Sequence, residues 1–270
     1  MSTPAHAAVS VVIPTFNRAD RLAAAIRSAL AQSHPPSEVL ICDDASTDSS
    51  ATVVAAIGDD RVRWLPATVN SGSPAQPRNR GVAAATGQWV AFLDSDDTWL
   101  PGHLASVLST AAAAGAPLAC GNAWVHEAGQ PVIRRYLRRP PSVLPRTRLL
   151  WDNAVITSSV IVRTDVLRAA GPFPTGYGFG IYEDYALWLR LSLTVPFPVA
   201  AEPTVRYHRA TPGAASGQVI AYPSLLANAA EHRNWCRTHG RPGAARAVWR
   251  IRARAESGRI VRAVRRAVRR

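Results

Sequence analysis

Three aspartates stand within four residues, at Asp94, Asp96 and Asp97, with Ser95 between the first two. Carboxylates this close repel one another, so a sequence that keeps them together favours a cation site. Carboxylate oxygens bind Mg²⁺ or Mn²⁺, and these ions commonly share their coordination shell with the phosphates of a substrate. The alternative is a solvated acidic turn in which Asp97 caps the helix that begins near Pro101. The spacing alone leaves both interpretations open.

A second acidic pair, Asp43 and Asp44, follows another short apolar run. A carboxylate there can accept hydrogen bonds from the N3 of a uracil or from ribose hydroxyls, or it can cap the helix that follows. Arg78 lies in a further polar segment, residues 77–81, and its guanidinium can meet a phosphate or a base. The alternative for Arg78 is a salt bridge to Asp43 or Asp94.

The apolar pattern predicts the framework that positions these residues. Short, largely apolar runs predict strands at 9–13, 39–42, 62–65 and 88–93, with helices between them. Strands that alternate with helices at this spacing form right-handed βαβ units and a parallel sheet. Thr15 and the aspartates of both acidic segments then follow the carboxyl ends of strands, which is the edge where open α/β sheets bind ligands. Several polar residues at one edge indicate a site better than separate helix caps do.

The second half has a less regular pattern. It predicts a hairpin from 118–125 and 130–136, a strand at 158–162, a short helix at 164–169 and a helix at 183–193. Its aromatic residues can stack on the apolar face of an acceptor sugar or belong to the core. These residues are Trp124, Trp151, Tyr177, Phe179 and Tyr182.

The positive charge is concentrated at the C-terminus. The net charge is +13, and residues 233–270 hold thirteen arginines and one acid, so the preceding chain is close to neutral. From residue 244 onward, apolar residues recur on one face of a predicted helix with arginines around the rest. This pattern is typical of helices that bind an anionic membrane surface. The alternative is a solvated tail.

Composition argues against several classes of protein. No apolar run approaches the roughly 18 residues of a membrane-spanning helix, and no basic region precedes the first apolar run, so a strand rather than a signal peptide is predicted there. Three widely spaced cysteines predict neither a disulfide framework nor a zinc site, which fits a reducing cytosol. A nucleotidyltransferase would usually carry a lysine in a glycine-rich triphosphate loop, and the chain has no lysine. The neutral main domain argues against nucleic-acid binding.

Taken in order, the motifs resemble those of the family 2 glycosyltransferases of GT-A fold. The first half carries Val-Ile-Pro-Thr-Phe-Asn (12–17), Asp-Asp-Ala-Ser-Thr-Asp (43–48), Arg-Asn-x-Gly (78–81) and Gly-Gln-Trp-Val-Ala-Phe-Leu-Asp-Ser-Asp-Asp (87–97). The second half carries Ser-Ser-Val-Ile-Val-Arg (158–163), Glu-Asp-Tyr-Ala-Leu-Trp-Leu-Arg-Leu (183–191) and Arg-Tyr-His (206–208). The resemblance covers residues 8–215. Ala45 departs from it where glycine is commoner, and Pro77 where alanine is usual.

The resemblance implies roles for individual residues. The nucleotide-sugar site that it implies consists of Pro14, Thr15, Phe16, Asp44, Arg78, Asp94, Ser95 and Asp96. Asp94 would contact the ribose or a metal-bound water, and Asp96 would ligate the metal, Mn²⁺ or Mg²⁺. Asp184 would be the catalytic base. His208 matches a position that binds the metal or the diphosphate in some relatives.

The resemblance also implies the organisation and the activity. Residues 1–215 would form a GT-A domain, with a nucleotide-sugar half at 8–100 and an acceptor half at 101–215, and residues 216–270 a basic helical extension. The expected reaction transfers a sugar, with inversion, from a UDP- or dTDP-sugar to a hydroxyl of a carbohydrate or lipid-linked acceptor in cell-envelope polysaccharide, glycolipid or glycoconjugate synthesis. We expect a cytoplasmic protein with peripheral contact to the inner face of the membrane and no nucleic-acid partner. The alternatives are an inactive glycosyltransferase-like scaffold and a nucleic-acid-binding protein that uses the arginine-rich tail.

Overall fold

The structure is a computed structural model that describes residues 7–127, 134–175, 182–209 and 222–241, together with residues 249 and 253. Two of the predicted aromatic residues, Tyr177 and Phe179, lie outside the described residues. So does nearly all of the predicted amphipathic helix of the tail.

Strands and helices alternate through the first half of the chain. The strands are β1 (Val9–Thr15), β2 (Glu38–Asp43), β3 (Val62–Leu65), β4 (Trp89–Phe92), β5 (Thr98–Trp99), β6 (Leu118–Glu127), β7 (Arg134–Arg135), β8 (Val143–Leu144), β9 (Val160–Arg163) and β10 (Phe197–Arg209). The helices are α1 (Ala19–Leu30), α2 (Ser50–Ala55), α3 (Ala75–Ala84), α4 (His103–Ala113), α5 (Arg146–Leu149), α6 (Thr164–Ala169), α7 (Glu183–Leu191) and α8 (Tyr222–Thr238). A 3₁₀ turn covers Thr157–Ser159.

The sheet has the strand order β3-β2-β1-β4-β9-β6-β10-β5. Strands β1 to β4 pair in parallel, and so do β6 and β10, whereas β9 is antiparallel to both of its neighbours. The sheet is therefore mostly parallel, which confirms the predicted α/β class. Because β2 and β4 lie on opposite sides of β1, the strand order reverses there, and the crevice beyond the carboxyl ends of these strands is the expected ligand site.

Two apolar clusters cover the two faces of the sheet. One joins the sheet to α1 and α4 through residues such as Leu22, Ile26 and Leu104. The other includes Phe92, Phe173 and Trp188, whose rings meet edge to face at centroid distances of 5.3–6.3 Å. Helices on both faces bury the apolar residues of the strands, so the polar residues of this half collect at the strand ends.

The longest strand, β10, was not among the predicted elements. It pairs with β6 in parallel, but its register shifts on either side of Pro203. Pro198 and Pro203 and the exposed Ala201 and Glu202 break the alternation of apolar and polar residues that identifies a strand. Its place in the sheet comes from pairing with β6, which leaves no local signal in the sequence.

Helix α8, which lies within the predicted C-terminal extension, packs against α7. The buried guanidinium of Arg190 forms an ion pair with Glu231, and Ala229, His232 and Cys236 are buried. Whether residues 216–270 form a separate unit stays a prediction. In the part of the chain that the structure describes, none of the helices combines the length and the apolar character needed to cross a membrane.

Gly81 sets how closely α3 approaches the sheet. A Cβ atom at this position would lie 2.5 Å from Cγ1 of Val12 and 2.8 Å from Sγ of Cys42, in β1 and β2. Only glycine permits this approach, and the approach places Arg78, one helical turn earlier, at the carboxyl edge of the sheet.

We predict that Gly81→Ala lowers the free energy of unfolding by about 1–3 kcal/mol, because the added methyl group overpacks the contact between α3 and the sheet. Helix propensity alone would give the opposite sign, a gain of about 1 kcal/mol. Urea unfolding followed by circular dichroism decides between the two, and a more stable variant would show that the close contact does not limit the packing of α3.

Candidate active site

The acidic turn after β4, residues 94–97, is held in place by the hydroxyl group of Ser158. The Asp97 N–H donates to the Asp94 carbonyl at 3.0 Å, which closes the turn. The Ser158 hydroxyl accepts from the Asp94 N–H at 3.0 Å and donates to Oδ2 of Asp97 at 2.6 Å. Oδ1 of Asp97 also accepts the His208 N–H at 2.9 Å. The buried Asp97 therefore holds the turn together, while Asp94 and Asp96 are partly exposed.

The turn concentrates negative charge. Burial raises the pKa of Asp97 well above its usual range, and the charges of Asp96 and Asp94 add to the rise. Among the described residues no group of three or more His, Cys, Asp or Glu side chains has the arrangement of a metal site. One or two carboxylates nevertheless suit Mg²⁺ or Mn²⁺, because such an ion completes its shell with substrate phosphates and water. The residues present therefore fit a metal bound together with a nucleotide.

His208 has the properties of an additional ligand. Its ring is partly exposed, and Nδ1 is buried, has no hydrogen-bond partner in the described structure and lies 3.9 Å from Oδ1 of Asp97. Burial lowers the pKa of His208, and the neighbouring His126 lowers it further. Both effects favour the neutral ring, which is the form that ligates metals.

Arg78 connects the turn to the start of α7. Its guanidinium is buried, with Nη2 2.6 Å from Oδ1 of Asp94 and Nη1 in an ion pair with Oε1 of Glu183. Burial would lower the pKa of Arg78, but the charges of Asp94, Glu183 and Asp184 outweigh it and raise the pKa. The sequence allowed either a contact of Arg78 with a phosphate or base, or a salt bridge to Asp43 or Asp94. The structure shows the salt bridge to Asp94.

Glu183 and Asp184 open α7 and have different environments. Glu183 is buried, and burial raises its pKa to about 7 against the opposing charge of Arg78. Asp184 is partly exposed; its Oδ2 accepts the Thr157 hydroxyl at 2.8 Å, and Nδ2 of Asn153 lies 3.3 Å from Oδ1. Burial also raises the pKa of Asp184, and Arg78 opposes the rise. An accessible carboxylate with a raised pKa is suited to accept a proton.

A second group of polar atoms lies at the ends of β1 and β2. Oδ2 of the buried Asp44 accepts the Ser71 N–H at 3.0 Å and the Ser71 hydroxyl at 2.9 Å, whereas Oδ1 is buried and has no partner among the described residues. The Thr15 hydroxyl is likewise buried and unpaired there. Phe16 beside it is 45% exposed. A free carboxylate oxygen, a free hydroxyl and an exposed ring suit a nucleoside.

The two departures from the family pattern have local explanations. Ala45 has φ of +64°, a conformation that favours glycine, and the turn is held by Asp43, whose carboxylate accepts the Ser46 N–H at 3.1 Å. Asp43 thus closes this turn, and Asp44 keeps the open oxygen. Pro77 is the third residue of α3, where a backbone N–H has no partner within the helix. A proline therefore costs the helix no hydrogen bond at this position.

The structure brings the proposed residues into two neighbouring groups. Thr15 and Asp44 end adjacent strands and are joined by the hydrogen bond from the Asp44 N–H to the Thr15 carbonyl, 2.9 Å. Asp94, Arg78 and Asp184 form the other group, at the end of β4 and the start of α7. Pro14 is a buried residue of β1, and Ser95 is buried in the turn.

Sequence reasoning gave no role to the residues that hold this geometry. They are Asn153, Thr157, Ser158 and Glu183. The sequence held a signal for two of them. Glu183 stands next to Asp184, and Ser158 is the first residue of the motif at 158–163.

Comparison with known proteins shows the family of the chain. The family model described as Glycosyl transferase family 2 matches residues 10–169. The succinoglycan biosynthesis protein ExoO of Rhizobium meliloti (strain 1021) is 40% identical over 157 residues, which are 58% of this chain and 44% of that protein. The chain thus spans less than half the length of this relative.

Two further matches cover more of the chain. The Escherichia coli UDP-Glc:alpha-D-GlcNAc-diphosphoundecaprenol beta-1,3-glucosyltransferase WfaP is 29% identical over 183 residues, or 68% of this chain and 69% of that protein. The crystal structure of S. aureus TarS 1-349 in complex with UDP-GlcNAc aligns with a TM-score of 0.68 at 21% identity, covering 84% of this chain and 67% of that chain. The structural match shows the GT-A fold.

We predict that Arg78→Gln lowers the free energy of unfolding by about 3–5 kcal/mol at pH 8, because it leaves buried carboxylates without their cation. The loss should be smaller at pH 5. The pKa of Glu183, about 7 in the native protein, rises further without Arg78, so at pH 5 this carboxyl is neutral with or without the guanidinium.

The matched control is Arg61→Gln, which breaks the partly exposed ion pair of Arg61 with Asp59. Exposed pairs contribute roughly 0–1 kcal/mol. Urea unfolding at both pH values gives the comparison. Two outcomes would contradict the interpretation of Arg78 as a buried cation between carboxylates. One is an equal decrease in the free energy of unfolding in both variants, and the other is a decrease for Arg78→Gln that does not change with pH.

Proposed function

The chain belongs to glycosyl transferase family 2, and we propose on that basis that it transfers a sugar from a nucleotide-diphosphate sugar to a hydroxyl group of an acceptor. The observation that carries the proposal is the position of Asp184. Its carboxylate is partly exposed and has a raised pKa, and it lies within the electrostatic reach of Arg78, which pairs with Asp94 of the acidic turn.

The donor would lie along the carboxyl edge of the sheet. Asp44 and Thr15 have the free oxygens to hold the nucleoside, and Phe16 offers an exposed ring. Asp96 would hold Mn²⁺ or Mg²⁺, with His208 as a further ligand. Such an ion, when bound, supplies positive charge that offsets the charge of the departing diphosphate.

Asp184 would act as the general base. Its carboxylate accepts the proton of the acceptor hydroxyl as the hydroxyl oxygen bonds to the anomeric carbon, while the bond from that carbon to the diphosphate oxygen breaks. Asn153 and Thr157 orient the carboxylate through their hydrogen bonds. Attack opposite the leaving group inverts the anomeric centre and requires no covalent sugar–enzyme intermediate.

The names of the relatives support a proposal for the class of acceptor. The names of the matched proteins describe succinoglycan biosynthesis and transfer to a diphosphoundecaprenol-linked sugar. We therefore propose a carbohydrate or lipid-linked acceptor of cell-envelope polysaccharide synthesis, with a UDP- or dTDP-sugar as donor. A cytoplasmic location, with the basic tail on the inner face of the membrane, would bring the protein to such an acceptor.

A panel of nucleotide sugars, screened for metal-dependent hydrolysis, identifies the donor first. We then expect Asp184→Asn to bind that donor with unchanged affinity and to lose transfer by a factor of roughly 10²–10⁴, because the amide cannot accept the proton. Calorimetry measures donor binding, and release of the nucleoside diphosphate measures transfer.

Asp165→Asn is the matched control, since Asp165 also stands in the first turn of a helix but is exposed and paired with Arg163. It should retain full activity. If Asp184→Asn also turned over at the native rate, Asp184 would be only a helix-terminal carboxylate. If the native chain bound donors but transferred nothing, it would be an inactive scaffold.

A further inference from the structure

An open groove lies beside the acidic turn, on the half of the sheet away from the nucleoside residues. It has a volume of about 560 Å³ and is lined by Thr98, Trp124, His126, Arg206 and His208. Pockets for small organic ligands commonly have volumes of roughly 300–1,000 Å³, so the groove is large enough for a saccharide with a charged substituent.

Strand register explains why these side chains share one face. Arg206 and His208 of β10 pair with Trp124 and His126 of β6, and Arg206 also pairs with Thr98 of β5. Residues two apart along a strand point to the same face. The groove therefore lies on hydrogen-bonded strands, at the part of β10 that follows its register shifts.

The lining combines a ring with positive charge. Trp124 is partly exposed, and the guanidinium of Arg135 lies over its ring at 5.5 Å from the centroid. The His126 and His208 rings lie side by side with centroids 4.9 Å apart. Arg206 is exposed, and no carboxylate pairs with it in the described parts of the chain. An unpaired guanidinium binds phosphate oxygens well, and an indole ring offers a surface to the apolar face of a sugar.

The groove also has a defined relation to the acidic turn. Thr98 directly follows Asp97, and the His208 N–H donates to Oδ1 of Asp97 at 2.9 Å. In the sheet, β4 and β9 stand between the nucleoside residues at β1 and β2 and the groove at β6 and β10. With neighbouring strands about 4.8 Å apart, β2 and β6 are roughly 19 Å apart. One nucleoside therefore cannot contact Asp44 at the end of β2 and also fill the groove on β6.

We propose that this groove is an acceptor subsite for a phosphate-bearing saccharide, with the sugar on Trp124 and a phosphate on Arg206. This inference rests on the proposed glycosyl transfer and adds the class of acceptor to it. A nucleoside diphosphate that leaves towards β1 and β2 requires a nucleophile from the other side, and in the strand order the groove lies beyond β4 and β9, away from β1 and β2.

The experiment compares two acceptor analogues in calorimetry, with the donor site first filled by UDP and Mn²⁺. One is the hexyl diphosphate ester of N-acetylglucosamine, and the other is neutral hexyl N-acetylglucosaminide. The native chain should bind the diphosphate ester about tenfold more tightly, the gain expected from hydrogen bonds to a charged group. Arg206→Gln should remove this preference and leave the affinity for UDP unchanged.

Three further variants complete the comparison. Arg139→Gln removes the same charge from an exposed residue outside the groove lining and should keep the preference. Trp124→Leu should weaken the binding of both analogues by a similar factor, with Trp124→Phe restoring part of it, and circular dichroism checks that each variant is folded.

The outcomes separate this inference from the reaction on which it rests. A native chain without a preference for the diphosphate ester, or an Arg206→Gln variant that keeps the preference, overturns the subsite. So does an Arg206→Gln variant whose main defect is in UDP binding, because Arg206 would then belong to the donor site. If UDP and Mn²⁺ fail to bind the native chain, the proposed function is wrong, and the same analogue titrations without UDP still decide whether the groove binds phosphate.

Discussion

The site depends on one buried cation placed between two carboxylates. Arg78 pairs with Asp94 of the acidic turn and with Glu183 at the start of α7. Burying these charges is favourable only while the three groups stay together, because the loss of one partner leaves a charge that water cannot reach. The interaction thus ties the acidic turn to the helix that carries Asp184, although Arg78 and Glu183 are 105 residues apart in the sequence.

Several features of the chain serve to keep this arrangement in place. The close contact of Gly81 with β1 and β2 lets α3 lie near enough to the sheet for Arg78 to reach the carboxyl edge of the sheet. Ser158 holds both ends of the acidic turn, and Thr157, the residue before it, holds Asp184. The 3₁₀ turn Thr157–Ser159 therefore contacts both the acidic turn and the proposed base. Burial raises the pKa of that base, and the Thr157 hydrogen bond opposes the rise.

The sequence predicts the parts of the site that follow buried strands, and it misses the parts that depend on distant pairing. Strands β1, β2 and β4 are apolar and regular, so Thr15, Asp44 and Asp94 could be assigned to one edge in advance. Arg78 could not be assigned between a salt bridge and a phosphate contact, because its partners come from other elements. Strand β10, which carries His208 and Arg206, has prolines and shifts of register, and its place in the sheet comes from pairing with distant strands, above all β6.

The central claim is that the acidic turn binds a nucleoside diphosphate together with a divalent ion, and calorimetry with UDP and dTDP tests it most directly. The account predicts binding in the presence of Mn²⁺ or Mg²⁺ and loss of that binding in EDTA. The Asp96→Asn variant should bind weakly under both conditions, because Asp96 is the proposed ligand. Equal affinity of the native chain with the metal and in EDTA would contradict the account.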